Sequence, residues 1–133
     1  MGNFSTKIRV RLSDTDAAGI LFFAHQFTLI HDAFEQFLTS IGFPIHNFFK
    51  KEVPFHPVIV HAEANYLAPI TVGDLLTITL TIEKLGTTSL TIAYSLHNEE
   101  TLVGRAKTVH VTIDKTSRQK TPLPSSFRQA LNL

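Results

Sequence analysis

Two carboxylates and a glycine stand close together in Ser13-Asp14-Thr15-Asp16-Ala17-Ala18-Gly19. They fall where an alternating, strand-like stretch gives way to a long apolar-striped one. A helix beginning there supplies unpaired backbone N–H groups and the positive end of the macrodipole. A carboxylate beside such donors can attack a carbonyl or activate water, while the donors hold the developing oxyanion. The same two acids also read as ordinary loop and capping residues, and the pattern alone leaves both readings open.

The chain has seven histidines, none in an H-x-x-x-H or H-E-x-x-H arrangement. His56 and His61 are five apart on a predicted strand, which puts them on opposite faces. His25 and His31 are six apart on a predicted helix and do not stack. No metal site is expected. His31 lies on or beside the apolar stripe, one turn after Phe27, and reads as a boundary histidine or as a polar handle inside a ligand pocket. His61 reads as an exposed or interface residue on the face of Ile59, Glu63, Asn65 and Leu67. Nucleophile-elbow, phosphate-loop and dinucleotide motifs are absent.

The elements that must position these residues follow from periodicity. Residues 6–12 alternate, with Ile8, Val10 and Leu12 against Lys7, Arg9 and Arg11, which predicts a half-buried strand. From about Phe23 to Ile41, Phe27, Ile30, Phe34, Phe37, Leu38 and Ile41 recur at helical steps, and Gly42 followed by Pro44 marks the end. Residues 45–51 read as a short helix or turn. Strands are predicted over 57–68, 75–84, 88–97 and 102–114, the last with Val109, Val111 and Ile113 on one face. The tail reads as irregular with a short final helix. Short turns between the strands make the sheet antiparallel. One apolar helix on one such sheet is an α+β layer. The face of Thr77, Thr79 and Thr81 is too polar for a core and too weakly polar for a lone exposed sheet, so a homo-oligomer is expected.

At 133 residues, with 44% hydrophobic content and 17% charge, the chain is expected to form one domain spanning 1–133. A net charge of +1 argues against a broad nucleic-acid surface. There is no cysteine, which excludes thiol catalysis and fits a cytoplasmic setting. Neither a signal peptide nor a membrane span is expected.

Asp14-Thr15-Asp16-Ala17-Ala18-Gly19-Ile20, the aromatic pair after it and the long helix resemble the hotdog-fold acyl-CoA thioesterases of the 4-hydroxybenzoyl-CoA thioesterase type. Tyr66-Leu67-Ala68-Pro69 with Gly73-Asp74-Leu75-Leu76 resembles that family's second signature. The resemblance implies an antiparallel sheet wrapped around one long central helix. It implies an enzyme in which Asp16 is the catalytic carboxylate, as nucleophile or as base. The backbone N–H matching Phe23 would polarise the thioester oxygen, and Gly19 would let the backbone approach closely. The position of His31 would face the acyl group, and a polar residue there implies a polar or phenolic acyl end. Within the family, His31, Val60-His61-Ala62, His110-Val111 and Pro122-Leu123-Pro124 resemble the 1,4-dihydroxy-2-naphthoyl-CoA hydrolases. That adds His61 as a substrate-binding candidate.

The resemblance implies no cofactor beyond the coenzyme A of the substrate, and a homodimer or homotetramer. It departs at Gly86-Thr87-Thr88-Ser89, which holds no cation for the coenzyme A phosphates, leaving Lys84, Lys107, Arg118 or Lys120. Phe23 also stands where one branch has a histidine. A general short- or medium-chain acyl-CoA or acyl-carrier-protein thioesterase and a non-catalytic acyl-CoA binder are the competing readings. An enoyl-CoA hydratase is set aside because its Asp/His motif is missing.

Overall fold

A computed structural model describes residues 3–132. In chain order they form β1 (Asn3–Arg9), a 3-10 turn (Leu12–Asp14), α1 (His25–Ser40), a second 3-10 turn (Ile45–Phe49), β2 (Phe55–Tyr66), β3 (Leu75–Leu85), β4 (Ser89–Asn98), β5 (Thr101–Asp114) and α2 (Ser125–Leu131). The strands make one antiparallel sheet in the order β1-β3-β4-β5-β2.

Period-two alternation gives the sheet its inner face. Leu76, Ile78, Leu80 and Ile82 of β3 are buried, as are Leu90, Ile92, Tyr94 and Leu96 of β4. Against this face α1 buries Leu29, Ile30, Ala33, Phe34, Phe37 and Leu38 in one continuous core. This is the α+β hotdog arrangement that the resemblance implied. The helix ends as its sequence predicts. Gly42 takes a φ of +88°, the Phe43 N–H reaches back to the Leu38 carbonyl at 2.8 Å and the Gly42 N–H to that of Thr39 at 3.1 Å, the paired bonds of a Schellman motif. The tail folds back as α2, whose Phe127 meets Phe43 edge-on at 5.0 Å and closes one end of the core.

Three expectations are corrected. The first strand stops at Arg9, and Leu12 is 76% exposed on the 3-10 turn instead of continuing the Ile8–Val10 face. In β5 the helix-facing residues are Ala106, Thr108 and His110, opposite Tyr94, Ile92 and Leu90, so Val109, Val111 and Ile113 lie on the outer face. The three do share one face, as the spacing predicts, and the face turned to the helix is the one with Thr108 and His110. In β2 a bulge between Ile59 and His61 resets the alternation. Ile59 opposes the inward His110, whereas His61 opposes the outward Val109. His61 therefore shares its face with Glu63 and Asn65 but not with Ile59. The bulge also puts His56, opposite Ile113, on that same outer face, so His56 and His61 are not on opposite sides.

Two interlocks fix the helix start. Gln26, fully buried, donates through Nε2 to the Asn65 carbonyl at 3.3 Å and the Arg105 carbonyl at 3.1 Å, joining α1 to β2 and β5. It fits because residue 104 is glycine: a Cβ there would stand 2.9 Å from Gln26 Oε1. Ahead of the helix, the buried Asp14 carboxylate accepts from Arg11 N at 2.8 Å, Nε at 3.3 Å and Nη2 at 3.1 Å. Burial pushes this carboxyl up, but the Arg11 hydrogen bonds and charge outweigh it and hold the group below its ordinary 3.8.

Both interlocks give measurable outcomes. Gly104→Ala overpacks a sealed contact and is expected to cost about 1–3 kcal/mol in urea unfolding. The cost should shrink in a Gln26→Ala background, and an unchanged midpoint in Gly104→Ala contradicts the interlock. Because the folded state depresses the Asp14 pKa, its contribution is present above the ordinary carboxylate value and lost as pH falls through the folded one. Asp14→Asn should thus cost about 1–2 kcal/mol at neutral pH, discounted for the exposed guanidinium. Its deficit should begin to shrink as pH falls below about 4 and disappear only below the depressed folded-state value; a deficit that persists unchanged into strong acid overturns this assignment.

Candidate functional site

The acidic loop is a small pinched turn. Thr15 bridges Leu21, the Asp16 N–H donates to the Ile20 carbonyl at 2.9 Å and the Gly19 N–H to the Asp16 carbonyl at 3.0 Å. Gly19 closes the turn at φ +75°, a conformation that glycine adopts without steric cost. The loop is stitched to the β2–β3 connection, Ile20 bridging Thr71 and the Val72 N–H donating to the Gly19 carbonyl at 3.0 Å. The Asp16 side chain is exposed, with Oδ1 accepting from Ala18 N at 2.8 Å and Ile20 N at 3.4 Å. Its Oδ2 has no partner among the described residues.

Beyond the loop, the Phe22 N–H donates to the Asp14 carbonyl at 3.0 Å. The Phe23 and Ala24 N–H groups donate to no acceptor among the described residues. No polar side chain caps the helix, whose N-cap is Ala24. Two orphan donors are therefore open at the positive end of α1. Tyr66 at the end of β2 donates its hydroxyl to the Phe23 carbonyl at 2.7 Å and fixes this corner. An open cleft of about 450 Å³ lies here, lined by Ile20, Leu21, Phe23, Tyr66 and the segment 67–70.

A second cavity, of about 150 Å³, lies one to two turns further along α1. Phe27, His31 and Phe34 of the helix line it, facing Ile59 and Ala62 of β2, Tyr94 of β4, and Thr108 and His110 of β5. Phe34 stacks on His110 at 4.6 Å and lies 5.9 Å from His31. Burial, and secondarily the charge of nearby His31, push His110 down to about 4. Burial pushes Tyr94 up to about 12 against the opposing effect of its Thr108 hydrogen bond. Both groups are neutral across the physiological range.

The structure brings Asp16, Gly19 and Phe23 to one corner and His31 to the cavity beside it. The Gly19 N–H is occupied within the loop, so the open donors are those of Phe23 and Ala24. His61 is not brought in. It is exposed on the outer face, 3.2 Å from Glu63, and lines neither cavity. Of the candidate phosphate-binding cations, Lys107 is paired with Glu83 at 3.1 Å. The sequence reading missed Tyr66 as a site residue and the Tyr94, Thr108 and His110 cluster. The latter had a signal, since Thr108 and His110 stand two apart on a strand and share a face.

A model of the thioesterase-like superfamily matches residues 10–131. A 1,4-dihydroxy-2-naphthoyl-CoA hydrolase of Rippkaea orientalis is 40% identical over 125 residues, covering 92% of this chain and 90% of that protein. A solved 1,4-dihydroxy-2-naphthoyl-CoA thioesterase from Synechocystis is 33% identical with a TM-score of 0.90, over 98% of this chain and 96% of that one. A solved gentisyl-coenzyme A thioesterase is 27% identical with a TM-score of 0.85, over 98% and 100% of the two chains. The match takes in the acidic loop, both helices and the sheet from β2 to β5, and the chain belongs to the thioesterase-like superfamily.

Proposed function

We propose that this chain is an acyl-CoA thioesterase that hydrolyses a hydroxyaryl acyl-CoA, with 1,4-dihydroxy-2-naphthoyl-CoA as the substrate, in phylloquinone or menaquinone biosynthesis. The observation that carries the reading is the cavity beside the uncapped helix start, which has aromatic walls in Phe27 and Phe34 and imidazoles of His31 and His110 on its lining. Aromatic walls suit a flat ring, and buried polar groups require partners. The relatives named above act on hydroxyaryl thioesters, which agrees with that lining.

In this reading the thioester carbonyl oxygen lies on the open Phe23 N–H, with the Ala24 N–H beside it. Negative charge developing on that oxygen meets fixed donors and the helix dipole. Asp16 either attacks the carbonyl carbon or takes a proton from the water that does. Both routes end with the carboxylic acid and the coenzyme A thiol, the oxygen coming from water. No cofactor enters. Residues 1–133 act as a single domain, in the cytoplasm.

The working unit is a homodimer or homotetramer. Asp16 opens to solvent, and Phe22, Phe23, Tyr66, Leu67 and Val72 leave an exposed apolar surface around the cleft. A patch of this kind on a site that lacks one wall calls for a second copy. The outer-face His61 contributes from that neighbouring copy. Light scattering should find a dimer or larger; a fully active, dilution-stable monomer contradicts the shared site.

Thiol release from a panel of acyl-CoAs tests the chemistry. The wild-type protein should turn over 1,4-dihydroxy-2-naphthoyl-CoA far faster than palmitoyl- or acetyl-CoA. Asp16→Asn should lose about 10²–10⁴ in kcat while still binding substrate. His31→Leu should narrow the preference, mainly by slowing the hydroxyaryl substrate. A preference for saturated chains reduces the reading to a general thioesterase, and activity undiminished in Asp16→Asn removes the mechanism.

A further inference from the structure

The floor of the second cavity holds a polar chain buried where an apolar contact would be the simpler solution. Tyr94 Oη lies 3.1 Å from Thr108 Oγ1, which lies 2.9 Å from His110 Nε2. All three residues are buried, at 4%, 4% and 3% exposure. His110 Nδ1 has no partner among the described residues, and it is not sealed off as His25 Nδ1 is. His110 lines the cavity.

Counting donors shows where the spare hydrogen of the chain must lie. A threonine hydroxyl gives one hydrogen, a phenol gives one, and a neutral imidazole gives one from whichever nitrogen carries it. If Tyr94 donates to Thr108 and Thr108 donates to His110 Nε2, every buried hydroxyl hydrogen is placed. The ring proton is then on Nδ1. In the reverse direction Nε2 donates to Thr108, Thr108 to Tyr94, and the phenol hydrogen is left without an acceptor among the described residues. Each direction leaves one hydrogen without a partner in the chain, and an unplaced buried donor costs about 1–3 kcal/mol. The forward direction puts that hydrogen on Nδ1, which is not sealed off and faces the cavity, where an outside acceptor can meet it.

We infer that His110 determines acyl specificity: held from behind by Thr108 and Tyr94, it offers one N–H, on Nδ1, to an oxygen borne by the ring of the acyl group. The inference rests on the proposed hydroxyaryl substrate. It adds a residue on β5 that meets the ring from the sheet side, opposite His31 on the helix. The Phe34 face against the imidazole keeps that N–H in one direction. A neutral donor at this depth rewards an oxygen acceptor and leaves an unpartnered group facing a bare hydrocarbon ring, the asymmetry that gives a polar site its selectivity.

Two measurements test it. Thr108→Val removes the relay hydroxyl at nearly constant volume. It should lower kcat/KM for 1,4-dihydroxy-2-naphthoyl-CoA about 10- to 100-fold, and for 2-naphthoyl-CoA, which has no hydroxyls, less than about 3-fold. Thr108→Ser keeps the relay and should restore the preference, which separates the effect from misfolding. Equal losses on both substrates in Thr108→Val overturn the inference. Nitrogen NMR of the histidine rings needs no turnover: the inference requires the His110 proton on Nδ1 at neutral pH, and a proton on Nε2 overturns it. Should the wild-type protein leave aryl thioesters intact, the proposed function fails on its own. The His110 Nδ1 signal then still decides, moving on titration with free 1,4-dihydroxy-2-naphthoate in support or staying fixed in refutation.

Discussion

Asp14 is tied at both ends, its carboxylate to Arg11 and its carbonyl to the Phe22 N–H at 3.0 Å. That second bond draws the start of α1 back to the beginning of the acidic loop, and everything between must fold into the small turn that displays Asp16. The turn is locked from the other side by Ile20–Thr71 and Gly19–Val72 pairing. The Thr71 N–H and hydroxyl are in turn held by the Asp74 carboxylate at 2.9 and 3.2 Å, and Arg9 donates to the Gly73 carbonyl at 2.8 Å. The two motifs that stand some fifty residues apart in the sequence are thus one hydrogen-bonded unit. The distance between a carboxylate and two open N–H groups is set by backbone bonds, which are stiffer than side-chain contacts.

The open N–H groups have a cost that the rest of the helix must offset. A Ser, Thr, Asp or Asn cap contributes about 1 kcal/mol, and α1 forgoes it. Each fully buried Leu, Ile or Phe contributes about 1.5–3 kcal/mol. The helix buries Leu29, Ile30, Phe34, Phe37 and Leu38 and ends in a complete Schellman motif. Packing outweighs the missing cap several times over. The stability of α1 thus resides away from its first turn, so that turn is free to present donors.

How much of this was readable depended on whether pattern and burial agreed. In β3 and β4 they did, because alternate residues are Leu, Ile or Tyr on one side and Thr, Ala or Ser on the other. The same holds for α1, where a glycine ends the stripe. In β5 they did not. Its inner face carries Thr108, His110 and Thr112, all buried, and Val109, Val111 and Ile113 hold the opposite face, where Val111 is also buried, so hydropathy does not tell which face meets the helix. The β2 bulge is invisible in Pro-Val-Ile-Val-His-Ala, since no glycine or proline marks Val60, and one extra residue reversed the face of His61. The corner of Asp16, Gly19 and Phe23 was legible because its residues are adjacent in sequence. The cavity floor was not, because Tyr94 and His110 meet only through strand register.

The β2 bulge and the polar inner face of β5 meet at the same place. The β2 bulge turns Ile59 inward opposite His110, with Ala62 opposite Thr108. A small residue facing the threonine and a bulge beside the imidazole leave room between sheet and helix, and that room is the cavity lined by His31, Phe34 and His110. With apolar residues at 108 and 110, the inner face would have followed the alternation of its neighbours and packed shut against Phe34. Buried polar groups are costly unless every member has a partner. Here Tyr94 and Thr108 find theirs within the chain, whereas the outward nitrogen of His110 finds none. A core that leaves one donor open toward a void, in a sheet otherwise filled with leucine and isoleucine, is a core whose packing is completed by an acceptor from outside the chain.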